Sequence, residues 1–172
     1  KLESECRSLA FEIDDGIKEH AVYEHEKFGK IFVYETDGKG NILLMDDANS
    51  PSLLAAPYLG YVKPSNEIYQ NTRKFILSTN NPWYFEGGAA KGIGSPHTGY
   101  DKIWHIALIM QALTSTDEDE IRQCIDMITS THAETFLMHE SFNKNDPGDF
   151  TRPWFAWANS LFAELMIRLA GN

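Results

Sequence analysis

Apolar residues at Leu2, Cys6, Leu9, Ala10, Ile13 and Ile17 recur every three or four positions, which predicts an amphipathic helix over about residues 2–22. Two apolar runs follow, Ile31-Phe32-Val33-Tyr34-Glu35 and Ile42-Leu43-Leu44-Met45, and read as strands. Thr36-Asp37-Gly38-Lys39-Gly40-Asn41 between them, with its two glycines, reads as a hairpin turn. Polar Asp46-Asp47-Ala48-Asn49-Ser50-Pro51 then leads into a short helix over residues 52–56, ended or kinked by Pro57. Asn66 is placed to cap a helix over residues 67–77. Residues 80–98 read as a long loop, with room for a small hairpin around Gly87-Gly88. In a compact domain a loop of this length is usually functional or disordered, and its aromatic and His content favours function.

Helices are predicted next over residues 102–113 and 117–130, the second opened by a capping box of Ser115 and Glu118. The short link between them predicts an antiparallel pair. Residues 136–152 read as extended chain and loop. A last helix starts with Pro153 at its first position and runs to Leu169, with Gly171 as its stop. The predicted fold class is mainly α: helical hairpins, one small β-hairpin, and long loops gathered on one functional face, as in a helical toroid or solenoid. Five or so helices are too few to close a double ring of twelve.

Composition narrows the function classes. The chain has 172 residues, 42% hydrophobic and 23% charged, the profile of one ordinary globular domain. Its formal net charge of -10 argues against nucleic acid or an anionic membrane as partner. A neutral or cationic ligand fits that charge, and so does simple solubility. No apolar run is long enough to cross a bilayer. Cys6 and Cys124 fall in separate helical patterns and read as free thiols, and no Cys/His cluster has zinc spacing. The start, Lys1-Leu2-Glu3-Ser4, is no signal peptide and opens inside an amphipathic pattern, as in a chain cut from something longer.

Candidate chemistry lies in four polar segments: Asp46-Asp47-Ala48-Asn49, Gly92-Ile93-Gly94-Ser95-Pro96-His97, His139-Glu140-Ser141-Phe142 and Asp149-Phe150-Thr151-Arg152-Pro153-Trp154. A sugar site needs paired hydrogen-bonding groups for hydroxyls and a flat apolar surface for the ring's C–H face, and these segments hold both. Glu140, with His139 and Ser141 beside it and Arg152 a loop away, suits an ionised carboxylate acting as base. It could equally brace the loop that follows. Asp46 and Asp47 could supply a second carboxylate, hold hydroxyls, or cap the turn after Pro51. A metal would need more oxygen ligands than can be assigned. Gly92 and Gly94 would let backbone approach a ligand closely, with His97 as a ligand contact or a structural group. His20, His25 and His105, all on predicted helices, and His132 and His139 read as structural.

Met45-Asp46-Asp47-Ala48-Asn49-Ser50-Pro51-Ser52-Leu53-Leu54, Pro57-Tyr58-Leu59-Gly60-Tyr61, Gly94-Ser95-Pro96-His97-Thr98-Gly99, Leu113-Thr114-Ser115, His139-Glu140-Ser141-Phe142 and the run from Phe150 to Ser160 together resemble glycoside hydrolase family 125. The resemblance runs in order from about Phe28 to the C-terminus. It implies part of an (α/α)6 toroid, all of residues 1–172 forming the C-terminal portion of one catalytic domain. It also implies exo-acting, inverting, metal-independent hydrolysis of terminal α-1,6-linked mannose, from an oligosaccharide or N-glycan, with no cofactor. The general base maps onto Glu140. Asp47, Asn49, His97 and Arg152 are expected around the mannose, with Tyr58 and Trp154 as ring platforms. The family's general acid, an Asp, is expected upstream of this chain, so the missing N-terminal portion or a partner chain would close the toroid. The alternatives are a mannose-binding remnant without catalysis, half of a split enzyme, or another toroidal sugar enzyme such as a calcium-dependent mannosidase or a lyase.

Overall fold

The computed structural model describes residues 1–171 as five helices joined by loops that carry small antiparallel sheets. Helix α1 (Leu2–His20) leads into a hairpin of β1 (Val22–His25) and β2 (Gly29–Phe32), paired Val22 to Phe32. This hairpin was not anticipated: alternation is weak in Val22-Tyr23-Glu24-His25, and the predicted strand at residues 31–35 is split between β2 and the next hairpin. That second hairpin, β3 (Glu35–Thr36) with β4 (Ile42–Leu43), closes over the expected turn at residues 37–41. Asp37 holds the turn by accepting N–H bonds from Lys39 and Asn41.

The expected helix at residues 52–56 is absent; the segment is a series of turns. The i→i+4 partner of the Leu53 carbonyl would be Pro57, which has no N–H, so that carbonyl takes the Ala56 N–H in a tighter turn. The buried Asp46 carboxyl ties the segment down by accepting the backbone N–H groups of Leu53 (2.9 Å) and Leu54 (3.0 Å). Helix α2 (Glu67–Ile76) forms as predicted, with the Asn66 side chain accepting the Tyr69 N–H. The long loop does contain its hairpin, β5 (Tyr84–Glu86) with β6 (Lys91–Ile93).

β7 (Lys102–Ile103) takes the first residues assigned to the next helix, and α3 starts later, at His105–Leu113. Ile103 is wholly buried opposite Phe142, so sheet pairing overrides the helical pattern there. α3 packs against α4 (Glu118–Ser130) across a short link, as expected of a helical hairpin. The cap of α4 differs from the capping box: Asp117 accepts the N–H groups of Asp119 and Glu120, while Ser115 donates to the Glu120 carboxylate. β8 (Ser141–Asn143) and β9 (Phe150–Thr151) complete a three-stranded sheet in the order β7-β8-β9. α5 (Ala156–Ala170) begins three residues after Pro153, which lies outside the helix. Gly171 caps α5 with φ -92°, so its stop needs no left-handed glycine.

The core centres on α3, where seven of nine residues are buried between α4, α5 and β6. Arg73, itself buried, locks α2 to this hairpin through Thr114 Oγ1 (2.8 Å), the Gln111 carbonyl (3.0 Å) and Glu120 (2.9 Å). Gly92 and Gly94 serve this packing rather than a ligand. A Cβ at Gly94 would run into the Lys102 carbonyl and Phe85, and one at Gly92 into Leu108 and Ile103. Cys6 and Cys124 are free thiols, and burial pushes that of Cys124 up to about 12.

Candidate active site

The β7-β8-β9 sheet sets the site. Its register places Ser141 directly opposite Thr151, which puts Glu140 at the near end of β8 and Arg152 at the near end of β9. The Glu140 N–H donates to the Thr151 carbonyl (3.2 Å), fixing the backbone of Glu140 against β9. Behind the strand, His105 is buried and accepts the His139 N–H at Nδ1 (3.0 Å), so its other nitrogen is the donor, to Thr131 Oγ1 (2.9 Å). Burial lowers the His105 ring to about 3, which keeps it neutral. The His139 ring lies against Phe150 (3.9 Å between centroids, 5° between planes), with its nitrogens on the carbonyls of Pro153 and His132. These two histidines are framework, as expected. His132 is too, accepting the Phe136 N–H and stacking on the Phe136 ring. His25 differs in lying on β1 rather than on a helix; its Nδ1 accepts the Lys27 N–H.

Glu140 projects from this frame into a cleft of about 550 Å³. Its side chain is only 7% exposed, yet every oxygen is served. Thr151 Oγ1 donates to Oε2 at 3.0 Å, and Arg152 Nε lies 3.3 Å from Oε1. His97 Nε2 stands 4.0 Å from the same Oε1. The hydroxyl donates a hydrogen bond and the guanidinium adds an ion pair, which together offset the burial of the carboxylate. Arg152 achieves its position with a left-handed backbone, φ +44°, a conformation that non-glycine residues avoid and that clusters at functional sites.

The remaining walls come from distant segments. Asn49 lines the cleft, and Asp47 stands behind it, accepting both the Asn49 backbone N–H (3.0 Å) and its amide (3.3 Å). Asp47 therefore orients Asn49 rather than lining the cleft itself. Trp154 and Trp157 line it while exposed, and buried Trp104 and half-buried Phe155 line it beside them. Trp104 donates Nε1–H to Thr98 Oγ1 (2.7 Å), which steadies the loop that carries His97.

Of the expected site residues, the structure brings Glu140, Asn49, His97, Arg152 and Trp154 into one cleft. Tyr58 stays out: its hydroxyl donates to Glu164 of α5 (2.8 Å) and its ring lies under Arg168. Trp104, Phe155 and Trp157 were not singled out from the sequence. Trp157, three positions from Trp154 at the start of a helix, was legible as its partner; Trp104 was not, because its helical pattern reads as core. Among the described residues Glu140 is the one carboxylate that lines the cleft, and no group of three metal-ligating side chains is present.

Residues 1–167 match the family described as metal-independent α-mannosidase, glycoside hydrolase family 125. The chain belongs to this family. The match takes in α1, which the sequence motifs starting near Phe28 did not reach. A fission yeast relative, the meiotically up-regulated gene 157 protein of Schizosaccharomyces pombe, is 52% identical over 161 residues, covering 93% of this chain and 32% of that protein. A solved structure of a Streptococcus pneumoniae metal-independent α-mannosidase, in a non-productive complex with α-1,6-mannobiose, is similar with a TM-score of 0.93 at 46% identity. It is covered over 39% of its length by 96% of this chain. The chain thus spans about a third of the length of these relatives. No described helix is long and apolar enough to cross a membrane.

Proposed function

We propose that the protein removes terminal α-1,6-linked mannose from an oligosaccharide or N-glycan by inverting hydrolysis, with Glu140 as the general base. Residues 1–172 are then the C-terminal portion of a single (α/α)6 catalytic domain. The observation that carries this reading is the Glu140 carboxylate. It is buried at the end of β8, with Oε2 anchored by Thr151 and Oε1 turned toward the cleft-lining Arg152 and His97. An anchored carboxylate with one working oxygen suits activation of a water. Glu140 would take a proton from the water as its oxygen attacks the anomeric carbon, opposite the departing glycosidic oxygen. An Asp upstream of residue 1 would protonate that oxygen, at the inverting carboxyl separation of about 6.5–9.5 Å. The single described carboxylate lining the cleft supports an acid that comes from outside this chain. Asn49, His97 and Arg152 would bind the mannose hydroxyls, Asp47 would hold Asn49, and Trp154 would stack on a sugar ring. Tyr58 would act only by bracing α5. The α-1,6 preference is supported by the disaccharide bound to the pneumococcal relative.

Glu140→Gln, in the protein as its gene encodes it, should lower turnover of α-1,6-mannobiose by about 10²–10⁴-fold. The wild type should release β-mannose as the first anomer seen by NMR. Near-normal turnover by the variant would reject the assignment. The lone cleft carboxylate also favours a second reading, a mannose-binding remnant or half of a split enzyme whose other chain supplies the acid and closes the toroid. Calorimetry showing mannose binding without turnover by the complete protein would support the remnant; recovery of turnover on adding a second chain would support the split enzyme.

A further inference from the structure

We propose that Thr151 and Ser141 form a one-way hydroxyl relay that positions the Glu140 carboxylate, and that they are positioning residues for the hydrolysis. The inference rests on the reading of Glu140 as base. Thr151 Oγ1 lies 3.0 Å from Glu140 Oε2 and 2.7 Å from Ser141 Oγ. An ionised carboxylate only accepts hydrogen bonds, and a threonine hydroxyl has one proton to give. That proton is committed to Glu140, so Ser141 must be the donor to Thr151. The direction of the chain follows: Ser141 O–H to Thr151 Oγ1, then Thr151 O–H to Glu140 Oε2.

Strand register builds this relay. Ser141 and Thr151 are opposite partners on β8 and β9, and Glu140 precedes Ser141 on the same strand. Ser141 is fully buried, Glu140 nearly so and Thr151 half-buried, which leaves little room for water to replace the Ser141 hydroxyl. The charged or titratable groups facing the carboxylate are Arg152 and His97, and both approach Oε1. Oε2 therefore depends on Thr151 among the described side chains. Without that anchor, the Arg152 guanidinium is free to draw either oxygen, and the carboxylate can rotate away from the direction in which it would take a proton.

The test is a set of variants assayed on α-1,6-mannobiose in the protein as its gene encodes it. Thr151→Val keeps the shape and the β-branched stem but removes the donor. It should lower kcat about ten- to a hundredfold, the scale of one hydrogen bond to a charged group, with KM nearly unchanged. Thr151→Ser restores the hydroxyl and should recover most of kcat. Ser141→Ala should cost about three- to tenfold alone. It should add almost nothing on top of Thr151→Val, because Ser141 acts through Thr151. Additive losses, or a rise in KM at constant kcat, would overturn the relay. A crystal structure of the Thr151→Val variant decides the point without any activity: a displaced or rotated Glu140 carboxylate supports the relay, and an unmoved one overturns it. If Glu140→Gln keeps its turnover, the base assignment fails, and that structure still decides whether Thr151 positions the carboxylate.

Discussion

Helices α1 and α3 are built from sequences with clear apolar content, and they end in opposite environments. α3 buries seven of its nine residues, including Ile106, Leu108 and Ile109, and the sheet with Glu140 at its end rests on it. α1 buries none of its 19, and Leu2, Leu9 and Ile13 of its stripe are exposed, as is Phe11 off the stripe. The helix's side-chain hydrogen bond to the rest of the protein is from the Tyr61 hydroxyl, donating to Asp14. An apolar stripe says that a helix has a face to bury; what covers the face is decided elsewhere in the fold. At the cleft the Glu140 carboxylate is held by Thr151 and Arg152 at once.

The contrast can be broken most directly at Phe142, wholly buried on β8 against the His105 ring. Phe142→Ala should cost about 3–5 kcal/mol in urea unfolding, the usual penalty for emptying a packed aromatic site. A loss below about 1 kcal/mol would mean the sheet is not the rigid platform described. The next largest effect is expected at Asp46, in the turn that replaces the predicted helix. Burial pushes its carboxyl from 3.8 up to about 7, against the opposing pull of the Leu53 and Leu54 N–H groups and with Asp47 adding to the rise. The folded protein then keeps this proton to about pH 7, while the unfolded chain releases it near pH 3.8. The stability that results is fully present below the lower value and is lost as pH rises through the upper one. The melting temperature of the wild type should therefore fall relative to Asp46→Asn as pH climbs through this window; parallel profiles would refute the shift. The smallest effect belongs to α1. Leu9→Ala, on the exposed stripe, should change stability by no more than about 0.5 kcal/mol, as for other exposed positions. A loss near the core value would show that the face of α1 is covered in solution.

The sequence was most readable where one local force acts alone. Asn66 caps α2 because its side chain needs only the N–H three residues on, and the turn at Asp37 is equally self-contained. It was least readable where a partner far along the chain competes. Residues 102–103 follow a helical pattern but pair with β8 some forty residues on. At the site, the chemistry of Glu140, Arg152, His97 and Asn49 was visible as polar residues in turn-prone loops, and Trp154 as an aromatic beside them. Tyr58 was placed there by its neighbours in sequence, whereas the fold turns its hydroxyl to Glu164.

The order of the five longer helices, the Asn66 cap of α2, the family's motifs and the choice of Glu140 as the carboxylate candidate all belong to the sequence by itself. Each depends on spacing along the chain, where backbone geometry is the same in any fold. The tertiary structure alone decided which faces are covered, that Thr151 stands opposite Ser141, and that Arg152 turns left-handed beside Glu140. Those facts come from strand register and from packing between segments as much as 106 residues apart, as Tyr58 and Glu164 show. Such contacts depend on where whole elements settle against one another, and no local pattern encodes that distance.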